Sequence, residues 1–221
     1  MPFRNMRCAA IVVAGGSGSR FGGHKQFANL GGTSVAARSV SACRCVAESV
    51  VLVVPDGKSI ESHGADTVVV GGRTRSESVR AGLYAVPEDV DVVIVHDAAR
   101  PLASERLFYA VVAELSNPDV AGATVGTPVV DTIKQVVEVD GRRRVTATLD
   151  RSSLVAVQTP QGFRREALVA AHATGAEATD DAALIESLGG DVVVVEGDPD
   201  NLKLTSPSDL LDAERILEHR S

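Results

Sequence analysis

Six short apolar runs recur along the chain: "CAAIVVA" (8–14), "SVVLVV" (49–54), "DTVVV" (66–70), "VDVVIV" (90–95), "VAGATV" (120–125) and "DVVVV" (191–195). None alternates with polar residues. A strand with one wet face alternates, so runs of this kind read as strands covered on both faces. Between them lie helix-like segments at 33–48, 74–86, 104–115, 164–173, 180–188 and 207–219. Several open on a capping residue: Thr33 or Ser34, Ser104, Asp180, and Ser206 ahead of Pro207. Buried strands alternating with helices predict an α/β fold, a doubly wound, mostly parallel sheet with right-handed crossovers.

One segment breaks the alternation. Residues 131–149 read "DTIKQVVEVDGRRRVTATL", in which Asp140-Gly141 is a tight-turn signal between two β-rich arms. We expect a β-hairpin inserted into a single domain covering 1–221, protruding at about 130–152. A two-stranded hairpin is marginal in water, so it should pack on something, another subunit being one candidate. Arg142, Arg143 and Arg144 fall at or near its tip and read as a solvated end. The sequence shows no internal repeat, low-complexity tract or linker.

Charge and composition exclude several classes. The net charge is −7, which argues against general nucleic-acid binding. Aromatic residues make up 3% of the chain and Trp is absent, so a base-stacking platform is not expected. The cysteines Cys8, Cys43 and Cys45 have neither zinc-ligand nor redox spacing and read as small buried residues in a reducing compartment. The apolar run after "MPFRNMR" is too short for a signal core or a membrane span, which places the protein in the cytoplasm, off the membrane.

The first strand leads into "AGGSGSRFGGHK" (14–25). Glycines let backbone N–H groups turn toward a ligand, and successive N–H groups form an anion-binding hollow. Arg20 can grip phosphate oxygens bidentately and Lys25 adds a mobile point charge. The P-loop template fails because Gln26 follows Lys25, and the dinucleotide fingerprint fits Gly16 and Gly18 but meets Phe21 at its third glycine. The nucleotidyltransferase pattern, a glycine-rich loop followed by Arg and then Lys, fits.

A second constellation is "VVIVHDAARP" (92–101), with the strand expected to end near His96. That puts Asp97 and Arg100 at the carboxyl edge, where open α/β sheets bind ligands. A carboxylate facing a phosphate loop makes sense with a divalent cation between them, and Mg²⁺ binds through one or two carboxylates plus substrate phosphates. His96 next to Asp97 suggests a catalytic pair, but adjacent strand residues point to opposite faces, and we read His96 as structural. Further polar chemistry lies in "LDRSSLVAVQTPQGF" (149–163), with Arg151, Thr159 and Gln161. It also lies in 178–210, with Thr179, Asp180, Asp181 and Lys203.

Taken together, "AGGSGSRFGGHKQF", "GGRTRSESV", "VHDAARP", "DTIK", "DRSSLVAVQTPQGF", "TDDAALIE" and "GDPDNLKLTSPSDL" resemble the 2-C-methyl-D-erythritol 4-phosphate cytidylyltransferase family, in its order and over nearly the whole chain. The resemblance implies a Rossmann-like nucleotidyltransferase that moves CMP from CTP onto the methylerythritol phosphate with Mg²⁺. It implies that Arg20 and Lys25 stabilise charge at the α-phosphate. Ala14, Gly15, Gly16, Gly18, Gly72 and Ser78 would line the CTP. Asp97 would hold the metal. Asp97, Ala98, Arg100, Thr159, Thr179 and Lys203 would lie on the substrate side, with Arg151 and Lys203 placing the attacking phosphate. Thr132 and Arg151 would reach the partner's site from the arm of a homodimer.

The loop departs from the family's wording. Val13-Ala14-Gly15 stands where a proline and two alanines are usual, and His24 where proline usually precedes the lysine. Extra glycine should make ordering the loop on CTP cost more entropy. The rival readings are another polyol-phosphate cytidylyltransferase, such as the ribitol 5-phosphate enzyme, and a silent nucleotide-binding module. The second would be expected to have lost some of Arg20, Lys25, Asp97, Arg151 and Lys203, all of which are present.

Overall fold

The computed structural model describes residues 6–15, 25–57 and 61–220. The first half of the chain runs β1 (Cys8–Val13), β2 (Asn29–Leu30), β3 (Thr33–Ser34), α1 (Val35–Cys43), β4 (Ser49–Val54), β5 (Thr67–Val70), α2 (Arg75–Ala85), β6 (Val92–Asp97) and α3 (Glu105–Glu114). The second half runs β7 (Gly122–Pro128), β8 (Lys134–Val139), β9 (Arg142–Thr148), β10 (Val155–Arg164), α4 (Arg165–Ala173), α5 (Asp181–Ser187), β11 (Val192–Glu196) and α6 (Pro207–Arg220). Among the described residues the main sheet has seven strands, in the order β11-β7-β10-β6-β1-β4-β5. All its pairings are parallel except those of β10, which runs antiparallel to both neighbours.

The unalternated apolar runs behave as the physics of a two-sided sheet requires. Successive strand side chains point to opposite faces. Ala10 and Val12 of β1 join Val40 and Cys43 of α1 and Leu107, Phe108 and Val111 of α3. Ala9 and Ile11 of the same strand join Val79 and Leu83 of α2, Leu168 and Ala171 of α4, and Ile185 of α5. One strand thus feeds two cores, and the helices cover both faces. A third cluster, Leu30, Val35, Leu102, Leu204 and Ala213, seats α6 beside β2.

Helix starts follow local chemistry. Ser34 accepts from Ala37 N at 3.1 Å and Asp180 from Ala183 N at 3.1 Å. Ser206 Oγ donates to Asp209 Oδ1 at 2.8 Å, and Ser206 N donates to Asp209 Oδ2 at 2.8 Å, so the Asp209 carboxylate holds the residue ahead of Pro207. Ser104 takes the N-cap position without a side-chain bond. The helix expected over 33–48 is shorter, because Thr33 and Ser34 pair with β2 and the chain turns after Cys43. The strand expected to end near His96 reaches Asp97. Cys8 and Cys43 are buried and Cys45 half-buried, all as free thiols, and burial pushes Cys8 and Cys45 up to about 11.

Strand β10 is absent from the sequence reading and lies near the middle of the sheet. Gln158, Thr159, Pro160 and Gln161 break its apolar pattern, and proline supplies no ladder donor. The structure accommodates them with a register shift against β7 between Gln158 and Gln161, and with interior partners such as Gln161 Nε2 to Thr124 Oγ1 at 3.0 Å. The hairpin forms as expected, β8 against β9, with Asp140 and Gly141 both at positive φ, as a two-residue turn demands. Its strands are exposed along almost their whole length, Val136, Val137, Val139 and Val145 included. No described helix is long and apolar enough to cross a membrane.

Gly162 lets β10 lie against α3: a Cβ there would stand 2.4 Å from Val111 Cγ1 and 3.0 Å from Ile94 Cδ1. We expect Gly162→Ala to overpack this contact and lose about 1–3 kcal/mol of stability, read as a lowered urea midpoint at unchanged m-value.

Candidate active site

The carboxyl edge of the sheet carries two clusters. The first is built from backbone. Ala14 N donates to Val53 O at 2.8 Å, which holds the end of β1 against β4. Gly15 follows and meets α2: a Cβ on it would lie 3.0 Å from Ser78 Oγ. A Cβ on Gly72 would lie 2.2 Å from Glu77 Cβ, so only glycine lets the turn after β5 approach the helix start. Ser78 is buried, and its hydroxyl donates back to Thr74 O at 2.8 Å. Gln26 Nε2 donates to Ala14 O at 2.6 Å and so ties the returning end of the glycine loop to its origin. Lys25, immediately before Gln26, opens the short 3-10 turn Lys25–Phe27. Gly16, Gly18, Arg20 and His24 lie outside the described residues.

The second cluster is built from charge. Asp97 is 8% exposed. Its Oδ2 meets Lys203 Nζ at 2.5 Å, and its Oδ1 lies 3.6 Å from Arg75 Nε. Burial would raise the carboxyl pKa, but Lys203, Arg75 and Arg100 outweigh it and hold the group at about 2. Asp97 is therefore ionised throughout the physiological range.

Its backbone is fixed as firmly. Asp97 N donates to Thr159 Oγ1 at 3.0 Å, so the threonine hydroxyl hydrogen is available for His96 Nδ1, also at 3.0 Å. The ring proton then sits on His96 Nε2, which donates to Arg100 O at 3.2 Å. His96 is fully buried, and burial pushes its pKa down to about 4. The imidazole is a neutral structural link on the strand face opposite Asp97, as its position in the sequence implies. Arg100 donates through Nη1 to Asn201 O at 2.6 Å, and its Nη2 to Val157 O at 3.4 Å. Ala98 is buried, with Ser39 Oγ donating to its carbonyl.

Sequence reasoning assigned no role to Arg75 or His172, and to Asp181 only a place in a polar stretch. Arg75 Nη1 donates to Asp181 Oδ2 at 2.7 Å, and Asp181 Oδ1 lies 2.9 Å from His172 Nε2. Asp181 and His172 are both buried. This line of charge backs Asp97 from α2, α4 and α5. The motifs "GGRTRSESV" and "TDDAALIE" contain two of its members, but a pairing across so much chain has no local signal. Asp180 serves as the α5 cap and also accepts from Gln161 Nε2 at 3.0 Å. Thr179 is exposed beside it. Thr132 and Arg151 are exposed at the base of the hairpin, where Arg151 Nη1 donates to Val130 O. Among the described residues, neither bonds to the rim.

No group of three or more His, Cys, Asp and Glu side chains converges among the described residues as a protein-only metal cage. Asp97 instead offers one ionised, hard oxygen ligand at the rim. A mostly parallel sheet with a glycine turn and a cation-held carboxylate on its carboxyl edge fits the α/β nucleotidyltransferase fold.

The comparisons with known proteins agree. The profile described as "2-C-methyl-D-erythritol 4-phosphate cytidylyltransferase" matches residues 8–219. A protein of that name from Streptomyces avermitilis is 43% identical, over 97% of this chain and 93% of its own length. A "Bifunctional enzyme IspD/IspF" from Anaeromyxobacter sp. strain Fw109-5 is 48% identical over 97% of this chain, which spans 58% of that protein. The crystal structure of 2-C-methyl-D-erythritol 4-phosphate cytidylyltransferase from Thermus thermophilus superposes with a TM-score of 0.81 at 32% identity, covering 96% of this chain and 100% of the other. The chain belongs to the 2-C-methyl-D-erythritol 4-phosphate cytidylyltransferase family.

The depressed His96 pKa sets a pH dependence. An unfolded histidine titrates near 6.5 and this one at about 4, so between those values the unfolded chain binds more protons. Stability should fall as pH drops from about 6.5 toward 4. Urea unfolding at several pH values should show this slope in the wild type and a shallower one in His96→Asn.

Proposed function

We propose that the protein transfers CMP from CTP to 2-C-methyl-D-erythritol 4-phosphate, giving 4-diphosphocytidyl-2-C-methyl-D-erythritol and diphosphate. The observation that carries this reading is the Asp97–Lys203 pair on the same edge as the Gly15–Gly72–Ser78 cluster. Membership of the family supports it. An oxygen of the acceptor phosphate attacks the α-phosphorus of CTP. The new P–O bond forms as the bond to the bridging oxygen breaks, and diphosphate leaves with that electron pair. The acceptor is already an anion at neutral pH, so no general base is needed.

The difficulty is charge, since two polyanions must meet. Ala14, Gly15, Gly16, Gly18, Gly72 and Ser78 hold the cytidine and its phosphates. Arg20 and Lys25 stabilise charge at the α-phosphate. Asp97 fits a Mg²⁺ ion, which prefers one or two carboxylates plus phosphates, and the ion when bound would neutralise phosphate charge. Lys203 is half-exposed and able to turn from Asp97 to the acceptor phosphate. Arg100, Ala98, Thr159 and Thr179 frame the acceptor side. Thr132 and Arg151 act from the arm of a second copy in a homodimer. Support for that arrangement comes from the exposed valines of β8 and β9, which leave the arm without a core of its own. Buried free thiols suit a cytoplasmic protein.

The test is steady-state diphosphate release with CTP and Mg²⁺, comparing methylerythritol phosphate with ribitol 5-phosphate. We expect strong preference for the first, and a ~100-fold or greater loss of turnover in Lys25→Ala at a wild-type unfolding midpoint. Equal or better use of ribitol phosphate would overturn the acceptor assignment. A Lys25→Ala enzyme with most of its turnover intact would remove Lys25 from the transition state.

A further inference from the structure

Lys203 sits on a loop that follows β11, past the end of the sheet's hydrogen-bonded ladder, yet its ammonium meets Asp97 at 2.5 Å. Something must hold that loop. Two residues before it, Asn201 is 0% exposed, which is unusual for an amide side chain on a connecting segment. Asn201 Nδ2 donates to Gln158 Oε1 at 3.1 Å and to Thr159 O at 2.9 Å, so its side chain reaches across to β10. Gln158 returns the contact: its Nε2 donates to Asp198 O at 3.0 Å, and its Oε1 accepts from Asp198 N at 3.4 Å. Asn201 N closes the turn onto Asp198 O at 3.0 Å, and Asn201 O accepts from Arg100 Nη1 at 2.6 Å. Just past the lysine, Leu204 N donates to Ala99 O at 2.8 Å.

The amide orientations in this network are forced. Gln158 Oε1 accepts from a backbone N–H, so the Asn201 group facing it must donate, and the same group faces the Thr159 carbonyl. Asn201 Oδ1 is buried with no partner among the described residues, so the side chain serves there through its donor end. An unmatched acceptor is a cost, and a buried donor that spans two elements is what the fold gains in return. The contacts it makes lie on β10 immediately beside Thr159, which also fixes Asp97 N. Asn201 therefore refers the lysine-bearing loop and the carboxylate to one common strand.

We propose that Asn201, together with Gln158, is the positioning pair that sets where the Lys203 ammonium stands relative to Asp97, and so aligns the acceptor phosphate. The kinetic part of this rests on the reading above that Lys203 meets the acceptor; the geometric part does not. Neither residue touches the reacting atoms, and both act through the loop. Because the network lies on the acceptor side, its loss should leave the nucleotide side intact.

The experiment uses Asn201→Ala, and Gln158→Met as the milder variant, in which a neutral side chain of similar length lacks the donor to Asp198 O. Ligand-free crystal structures read the distance from Lys203 Nζ to Asp97 without any substrate. We expect it to open beyond hydrogen-bond range, above ~3.5 Å. In kinetics, we expect kcat/KM for the acceptor to fall ~100-fold in Asn201→Ala. CTP affinity, measured by calorimetry without acceptor, should stay within about two-fold, and Gln158→Met should show a smaller loss of the same kind. An unchanged Lys203–Asp97 contact in the variants would overturn the proposal. So would equal losses in CTP affinity and acceptor use, since those mark a general structural defect. If Asn201→Ala gives no soluble protein, Gln158→Met decides by the same criteria. A wild type inactive toward methylerythritol phosphate would defeat the functional reading, while the crystallographic distances would still decide this one.

Discussion

A carboxylate buried at the end of a central strand must be matched by positive charge, because an uncompensated buried charge costs several kcal/mol. Asp97 is that carboxylate, and much of the rim follows from balancing it. Lys203 answers one oxygen, which obliges the loop after β11 to fold back over β6. Arg75 stands near the other, which obliges α2 to begin beneath the site. Arg75 is itself largely enclosed and is held by Asp181, which lies against His172. The compensation of one charge therefore reaches α2, α4, α5 and the β11–α6 connection. The cations of this rim are already engaged, Lys203 by Asp97, Arg75 by Asp181 and Arg100 by backbone carbonyls.

The two halves of the rim solve different problems by different means. In the Gly15–Gly72–Ser78 cluster the working surface is backbone, and the requirement is closeness. Gly15 and Gly72 meet that requirement by lacking the atom that would strike Ser78 or Glu77. Around Asp97 the requirement is charge at a fixed point, and long side chains supply it only when their bases are immobilised. Arg100 shows the pattern: its guanidinium donates to the carbonyls of Asn201 and Val157, so a cation positioned on the rim also serves as a brace between elements.

The parts of the fold governed by periodicity were readable in the sequence. Unalternated runs gave β1, β4, β5, β6, β7 and β11, and capping residues gave most helix starts, because both reflect local rules. The hairpin was readable from Asp140-Gly141 between two β-rich arms, since few other pairs adopt two positive φ values. Strand β10 was not, because its interior is polar and its polar groups are satisfied by residues far away in the chain, among them Thr124, Asp180 and Asp198. The site divides the same way. Asp97 and Lys203 stood out as residue types in suggestive places, but their pairing, and the backing of Arg75 by Asp181, are products of tertiary structure.

The position of β10 has a consequence for how such a chain can vary over time. The strand leaves the arm at one end and supports Thr159 near its middle, so its register is shared by a protrusion and a site. Lengthening the arm at the Asp140-Gly141 turn changes nothing downstream. A single residue gained or lost within the strand between Val155 and Gln158 would invert which side chains face which side of the sheet. Gln158 and Thr159 would then turn away from their partners. Natural length variation in the arm should therefore collect at its tip and be purged from its root.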